Sequence, residues 1–158
     1  MLRIVTGGGR DIGSAIAKKL AVEGANVAIN YFASSAGADA TLEAIKSTGG
    51  NAFAMQGDLT KADHVKAFVE RTVEEFGGVH VLVNNAGGLV KREKIAEMSL
   101  EHWQNVMDVN LTSTFMMTNA ALQHMTDGAI VNLASQAGRD GGGPGGGGVC
   151  GVRQAGRR

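Results

Sequence analysis

Five short apolar runs, separated by longer helical patterns that end at glycine, constrain this chain more than any other feature. The runs cover residues 2–6, 27–31, 52–56, 79–84 and 129–135. They are rich in Val, Ile, Leu and Ala and do not alternate with polar residues, as expected of strands covered on both faces. Helical patterns lie between them, near 12–23, 35–48, 61–76 and 99–126. Gly24, Gly49-Gly50, Gly77-Gly78 and Gly128 stand where those helices are expected to stop. The third helix has a start signal as well, with Thr60 as the expected N-cap and Asp63 in a first turn that the helix dipole favours. Strand–helix alternation over five strands predicts an α/β fold, a doubly wound parallel sheet with helices on both faces.

Composition narrows the function classes. A length of 158 residues fits one domain with a real core. Fifteen basic and fifteen acidic side chains give a formal charge of zero, so nothing points to nucleic acid or a membrane surface as partner. No apolar stretch approaches the ~20 residues needed to cross a bilayer. The N-terminus enters a strand directly, without the pattern of a signal peptide. Cys150 is the single cysteine, which excludes an internal disulfide. A cytoplasmic setting is expected. The four histidines are scattered, and no Cys/His/carboxylate spacing suggests a metal. Nine of the 24 glycines fall in the last 18 residues. Residues 1–140 are therefore read as the domain, and 141–158 as a disordered Gly/Arg-rich tail.

Thr6-Gly7-Gly8-Gly9-Arg10-Asp11-Ile12-Gly13 sits where the first strand meets the first helix. Glycines there let the backbone turn and approach a pyrophosphate, which a helix N-terminus holds through its free N–H groups and dipole. The spacing of Gly7, Gly9 and Gly13 is one residue wider than G-x-G-x-x-G. It resembles instead the T-G-x-x-x-G-x-G turn of the short-chain dehydrogenase/reductase family. Asp11 stands where that family usually has its middle glycine. A carboxylate is unwelcome beside a pyrophosphate, so Asp11 is expected to cap the helix or bond within the turn.

Further matches follow in the family's order. Gly57-Asp58-Leu59, after the third strand, resembles the family's adenine-binding turn, and Asn84-Asn85-Ala86-Gly87 is similar to its N-N-A-G turn. Asn110 matches the helix asparagine whose carbonyl holds a relay water, and Ser135 the serine that orients the substrate carbonyl. Taken singly, each has a plain structural role as cap, turn, polar helix face or strand end. Together they identify residues 1–140 as similar to a classical member of the family. The resemblance implies a Rossmann-like sheet and NAD(P)-dependent hydride transfer to or from a carbonyl or alcohol. The substrates it suggests are 3-oxoacyl thioesters, sugars or small ketones, and a homo-oligomer is compatible with it. It places Gly7, Gly9, Arg10, Ile12, Gly13, Tyr31, Asp58, Leu59, Asn85, Ala86 and Gly87 at the coenzyme, and Asn110 and Ser135 at the reaction. NAD-selective sites usually offer a carboxylate at the end of the second strand. Here no acid follows Tyr31 before Asp39, and Arg10 could face a 2′-phosphate. NADP(H) is therefore favoured, with NAD(H) as the alternative.

In the family a tyrosine moves the proton, and a lysine four residues later lowers its pKa from the ordinary ~10. The one tyrosine here is Tyr31, followed four positions on by Ser35, and no lysine occurs after Lys94. The expectation is a C-terminally truncated chain without its proton donor. A one-base shift in codons for Val149-Cys150-Gly151-Val152 permits Tyr-Ala-Ala-Ser, so residues after about Gly145 are expected to be an out-of-frame reading of the missing segment. The alternatives are an active reductase, a truncated non-catalytic nucleotide-binding module, or an unstable frameshifted fragment.

Overall fold

The structure, a computed structural model, describes residues 1–136. The boundary at residue 140, the glycine-rich tail, Cys150 and the frameshift region lie outside the described residues. Five parallel strands form one sheet: β1 (Leu2–Val5), β2 (Asn26–Tyr31), β3 (Ala52–Gln56), β4 (Val81–Asn84) and β5 (Ala129–Asn132). Their order across the sheet is β3-β2-β1-β4-β5. The helices are α1 (Asp11–Val22), α2 (Ser35–Ser47), α3 (Ala62–Phe76), α4 (Leu100–Met107) and α5 (Ser113–Leu122). The expected doubly wound, Rossmann-like α/β architecture is present.

Two cores explain the continuous apolar strands. Ile4, Ala28 and Leu82 point to one face, where Val65, Phe68 and Val69 of α3 and Met117 and Ala121 of α5 cover them. Val5, Val27, Ile29 and Val83 point to the other, against Ala17 and Ala21 of α1 and Ile45 of α2. Neighbouring residues of one strand thus enter opposite cores, which leaves no solvated face to call for polar alternation. At about 25 cal/mol per Å² of apolar surface, each fully buried Ile or Phe adds roughly 2 kcal/mol of driving force.

The chain winds from β1 outward to β3, then returns to place β4 on the other side of β1. The sheet's direction of growth reverses between β1 and β4. Backbones diverge above the carboxyl ends of such a strand pair and leave a crevice. In register, Val5 lies beside Val83, and Asn84 beside Asn132. The loops leaving β1 and β4 therefore start side by side.

Three expectations about element ends need correction. Thr60 does not cap α3; Lys61 occupies the N-cap position, and the Thr60 hydroxyl donates instead to Asp58 Oδ1 at 2.7 Å. Asp63 does lie in the first turn of α3. The pattern at 99–126 is not one helix: a π-helical turn, Asp108–Thr112, separates α4 from α5. Gly128 does not end α5, which stops at Leu122; it passes so close to the His80 carbonyl that any side chain would collide. The other three stops hold, with Gly24, Gly49 and Gly77 at φ 79°, 76° and 88°, the left-handed region that closes a helix.

Candidate functional site

Thr6 directly follows β1 and locks the two loops of the crevice together. Its buried hydroxyl donates to the Val83 carbonyl at 3.3 Å and accepts from the N–H groups of Asn85 and Ala86 at 3.0 and 2.9 Å. The Asn85 amide returns the contact, donating to the carbonyls of Thr6 and Gly7 at 2.9 and 3.2 Å. A β4-end turn drawn this tightly onto the glycine loop leaves no room for side chains. A Cβ on Gly7, which sits at φ 64°, would lie 3.1 Å from Ala86 Cα. One on Gly13 would lie 2.6 Å from the Asn85 amide and overlap the Gly7 carbonyl. Gly7, Gly13, Asn85 and Ala86 are thus brought into one contact.

The other half of the loop rests on β2 and α2. The Gly8 N–H donates to the Asn30 carbonyl at 2.9 Å. A Cβ on Gly9 would meet Ser34 O at 2.9 Å and Tyr31 Cβ at 3.3 Å. Tyr31 is therefore next to the loop. The first intrahelical bond of α1 runs from Ser14 N–H to Arg10 O at 3.0 Å. The amides of Asp11, Ile12 and Gly13 precede it and belong to the set a helix leaves without an internal acceptor. Arg10 and Ile12 expose their side chains, so the surface here is built from backbone and one guanidinium.

Asp11 is not a side-chain cap. It is the first residue of α1 at φ 48°, and its carboxylate lies 3.6 Å from Arg10 Nε. Its position explains why glycine suits the motif here: the backbone is left-handed, where a side chain is strained and Asp or Asn is among the few tolerated.

At the end of β3 the carboxylate of Asp58 accepts from the N–H and the hydroxyl of Thr60 at 2.9 and 2.7 Å. The Asp58 N–H donates to His64 Nδ1 at 3.0 Å. Partial burial pushes the Asp58 carboxyl up, but the two Thr60 bonds, with Lys61 and His64 nearby, outweigh it and hold the group below its ordinary value. Leu59 turns inward into the core of α3. Asn30 joins this turn to the loop, because its side-chain amide donates to the Gly57 carbonyl at 3.0 Å.

Asn110 is buried in the π-helical turn. Its amide nitrogen donates to Val106 O and Gly88 O, each at 2.8 Å, and its oxygen accepts from Gly88 N–H at 3.0 Å. The side chain thereby pins the segment after Gly87, whose φ of 152° favours glycine. Ser135 lies three residues past β5 and is half-buried. Two residues outside the sequence motifs also shape the site: Asn30, through its bond to Gly57, and Gly37, where any side chain would collide with the Gly9 carbonyl. Of the two, Asn30 carries a sequence signal, an amide inside an apolar run.

A tight glycine turn, helix amides that precede the first intrahelical bond and one cation suit a dinucleotide's pyrophosphate; the Asp11 carboxylate alone opposes it. The short chain dehydrogenase family model matches residues 2–146. Glucose 1-dehydrogenase 2 of Bacillus subtilis is 43% identical over 136 residues, covering 84% of this chain and 53% of that protein. The 3-oxoacyl-(acyl-carrier-protein) reductase FabG of Staphylococcus aureus is 42% identical over 138 residues, covering 85% and 56%. A short chain dehydrogenase from Burkholderia cenocepacia J2315, solved in complex with NADP, superposes with a TM-score of 0.91 at 34% identity, covering 98% of this chain and 63% of that one. The chain spans about half the length of the curated relatives it matches. A family model over nearly the whole chain, and relatives above 40% identity, agree with the loop geometry: this chain belongs to the short-chain dehydrogenase/reductase family.

Proposed function

We propose that this chain is the coenzyme-binding part of an NAD(P)-dependent oxidoreductase that acts on a carbonyl or alcohol, with NADP(H) favoured over NAD(H). The observation that carries the reading is the lock between Thr6 and Asn85–Ala86, which sets the glycine loop at the start of α1 in the crevice between β1 and β4. When bound, the coenzyme supplies or takes the hydride. Backbone N–H groups around Gly7, Gly9, Ile12 and Gly13 would hold its pyrophosphate, and Asp58, with Leu59 beside it, would accept from the adenine amine. Asn85, Ala86 and Gly87 would flank the adenosine half, and Tyr31 the wall of the pocket. Arg10 favours a 2′-phosphate, and the uncharged run from Ile29 to Ala38 offers no carboxylate to repel one. Ser135 would orient the substrate oxygen and Asn110 would organise the proton relay. Solved relatives at 34% identity include a complex with NADP and one with NAD, so the preference rests on Arg10 and the uncharged run alone.

Within these 158 residues a second reading, nucleotide binding without turnover, has its own support. The one tyrosine is Tyr31 on β2, with its Cβ beside Gly9. Two strands, β1 and β4, stand between β2 and β5, which leads to Ser135. Tyr31 therefore cannot serve Ser135 as proton donor, and loss of general acid–base catalysis costs ~10²–10⁴-fold in rate. The test is coenzyme binding and turnover measured side by side on a panel of 3-oxoacyl thioesters, sugars and small ketones. Saturable NADPH binding with no turnover above background is the expected result. Turnover that survives Ser135→Ala would refute the site assignment, and turnover abolished by it would refute the second reading.

A further inference from the structure

Two non-glycine residues among those described have positive φ, and one of them, Asp11, lies in the loop assigned to the pyrophosphate. Glycine would occupy that conformation without strain. This chain keeps the conformation and adds a carboxylate. The side chain is 77% exposed, so the core does not require it, and its carboxylate lies 3.6 Å from Arg10 Nε. Arg10 is also the cation on which any preference for a 2′-phosphate rests, since residues 29–38 carry no charge.

We propose that Asp11 is a specificity-determining residue that lowers the selectivity of this site for NADP(H) over NAD(H) by engaging the Arg10 guanidinium. The inference rests on the coenzyme reading above. Two electrostatic effects separate cleanly. A carboxylate at the start of a helix repels any pyrophosphate, and does so equally for both coenzymes. Its hold on Arg10 affects only the coenzyme with a 2′-phosphate, because only that ligand competes for the guanidinium. Exposed pairs of this kind shift equilibria by a few-fold, so the effect is a modulation of affinity and not a switch.

The test is titration of the full 158-residue chain with NADPH and NADH at low ionic strength, followed by coenzyme fluorescence. Asn tolerates the left-handed conformation as well as Asp does, so Asp11→Asn removes the charge and leaves the backbone in place. The expected result is about fivefold tighter NADPH binding and about twofold tighter NADH binding, with the difference shrinking as salt screens it. In an Arg10→Ala background the same substitution should help both coenzymes equally. Asp11→Gly, free of both charge and strain, should repeat the pattern, with circular dichroism confirming that each variant is folded. Equal gains for the two coenzymes in the chain that keeps Arg10, or no gain there, would overturn the proposal. Absence of binding by every folded variant would overturn the coenzyme reading beneath it.

Discussion

Thr6 shows how a single hydroxyl can organise a site. It donates once and accepts twice, joining the end of β1 to the turn after β4. Thr6→Val keeps the shape and removes those bonds. At about 1 kcal/mol net for each, the loss is roughly 2–3 kcal/mol. For a chain of this size that lowers Tm by about 5–10 °C, which differential scanning calorimetry would read, and NADPH affinity should fall with it. Asp58 makes a different prediction. Its folded pKa is depressed, so its contribution to stability is present above the unfolded carboxylate value near 3.9 and is lost as pH falls through the folded value. Urea midpoints of the wild type and Asp58→Asn should therefore run parallel from pH 7 to 5 and converge only below about pH 4. Divergence that persists below that range would mean the carboxylate is not what Thr60 stabilises.

At the scale of elements, the break between α4 and α5 carries the most information. Side chains compete there with the helical ladder: Asn110 bonds to Val106 O, Ser113 to Val109 O and Thr114 to Asn110 O. Asn110→Leu would remove the Val106 bond and both Gly88 bonds from a buried position, at a cost of roughly 3 kcal/mol. Amide hydrogen exchange should report it as selective loss of protection near Gly88 and in the π-helical turn, with β1 and β2 unaffected. This break was invisible in the sequence because no glycine or proline interrupts residues 100–122, and a hydrophobic pattern does not register side-chain bonds to the backbone. The strands were legible because burial on both faces leaves an unbroken apolar run. The glycine loop was legible because its spacing is a steric requirement, as Gly7 and Gly13 against Asn85–Ala86 make plain. The clamp from Asn30 to Gly57 spans 27 residues and follows no spacing rule. Thr60 misled because a Thr before a helix fits both a cap and an Asp-bonded turn, and only the position of Asp58 decides between them.

For the whole molecule, β5 pairs with β4 and forms one border of the five-stranded sheet. Val131 on it is 47% exposed. An apolar border strand recruits further chains, so the 158-residue protein should self-associate with rising concentration, and Val131→Lys should suppress this in sedimentation velocity without lowering Tm. Monomeric behaviour of the wild type at high concentration would argue that this border is covered. The central claim, that the crevice between β1 and β4 is a nucleotide site, is tested most directly by titrating the full chain with NADPH beside Gly13→Ala. The added methyl would press on the Gly7 carbonyl and the Asn85 amide. The account predicts one-to-one saturable binding by the wild type and a loss of at least tenfold in the variant, which corresponds to about 1.4 kcal/mol. A wild-type chain that is folded by circular dichroism yet leaves NADPH emission unchanged at millimolar concentration would contradict it.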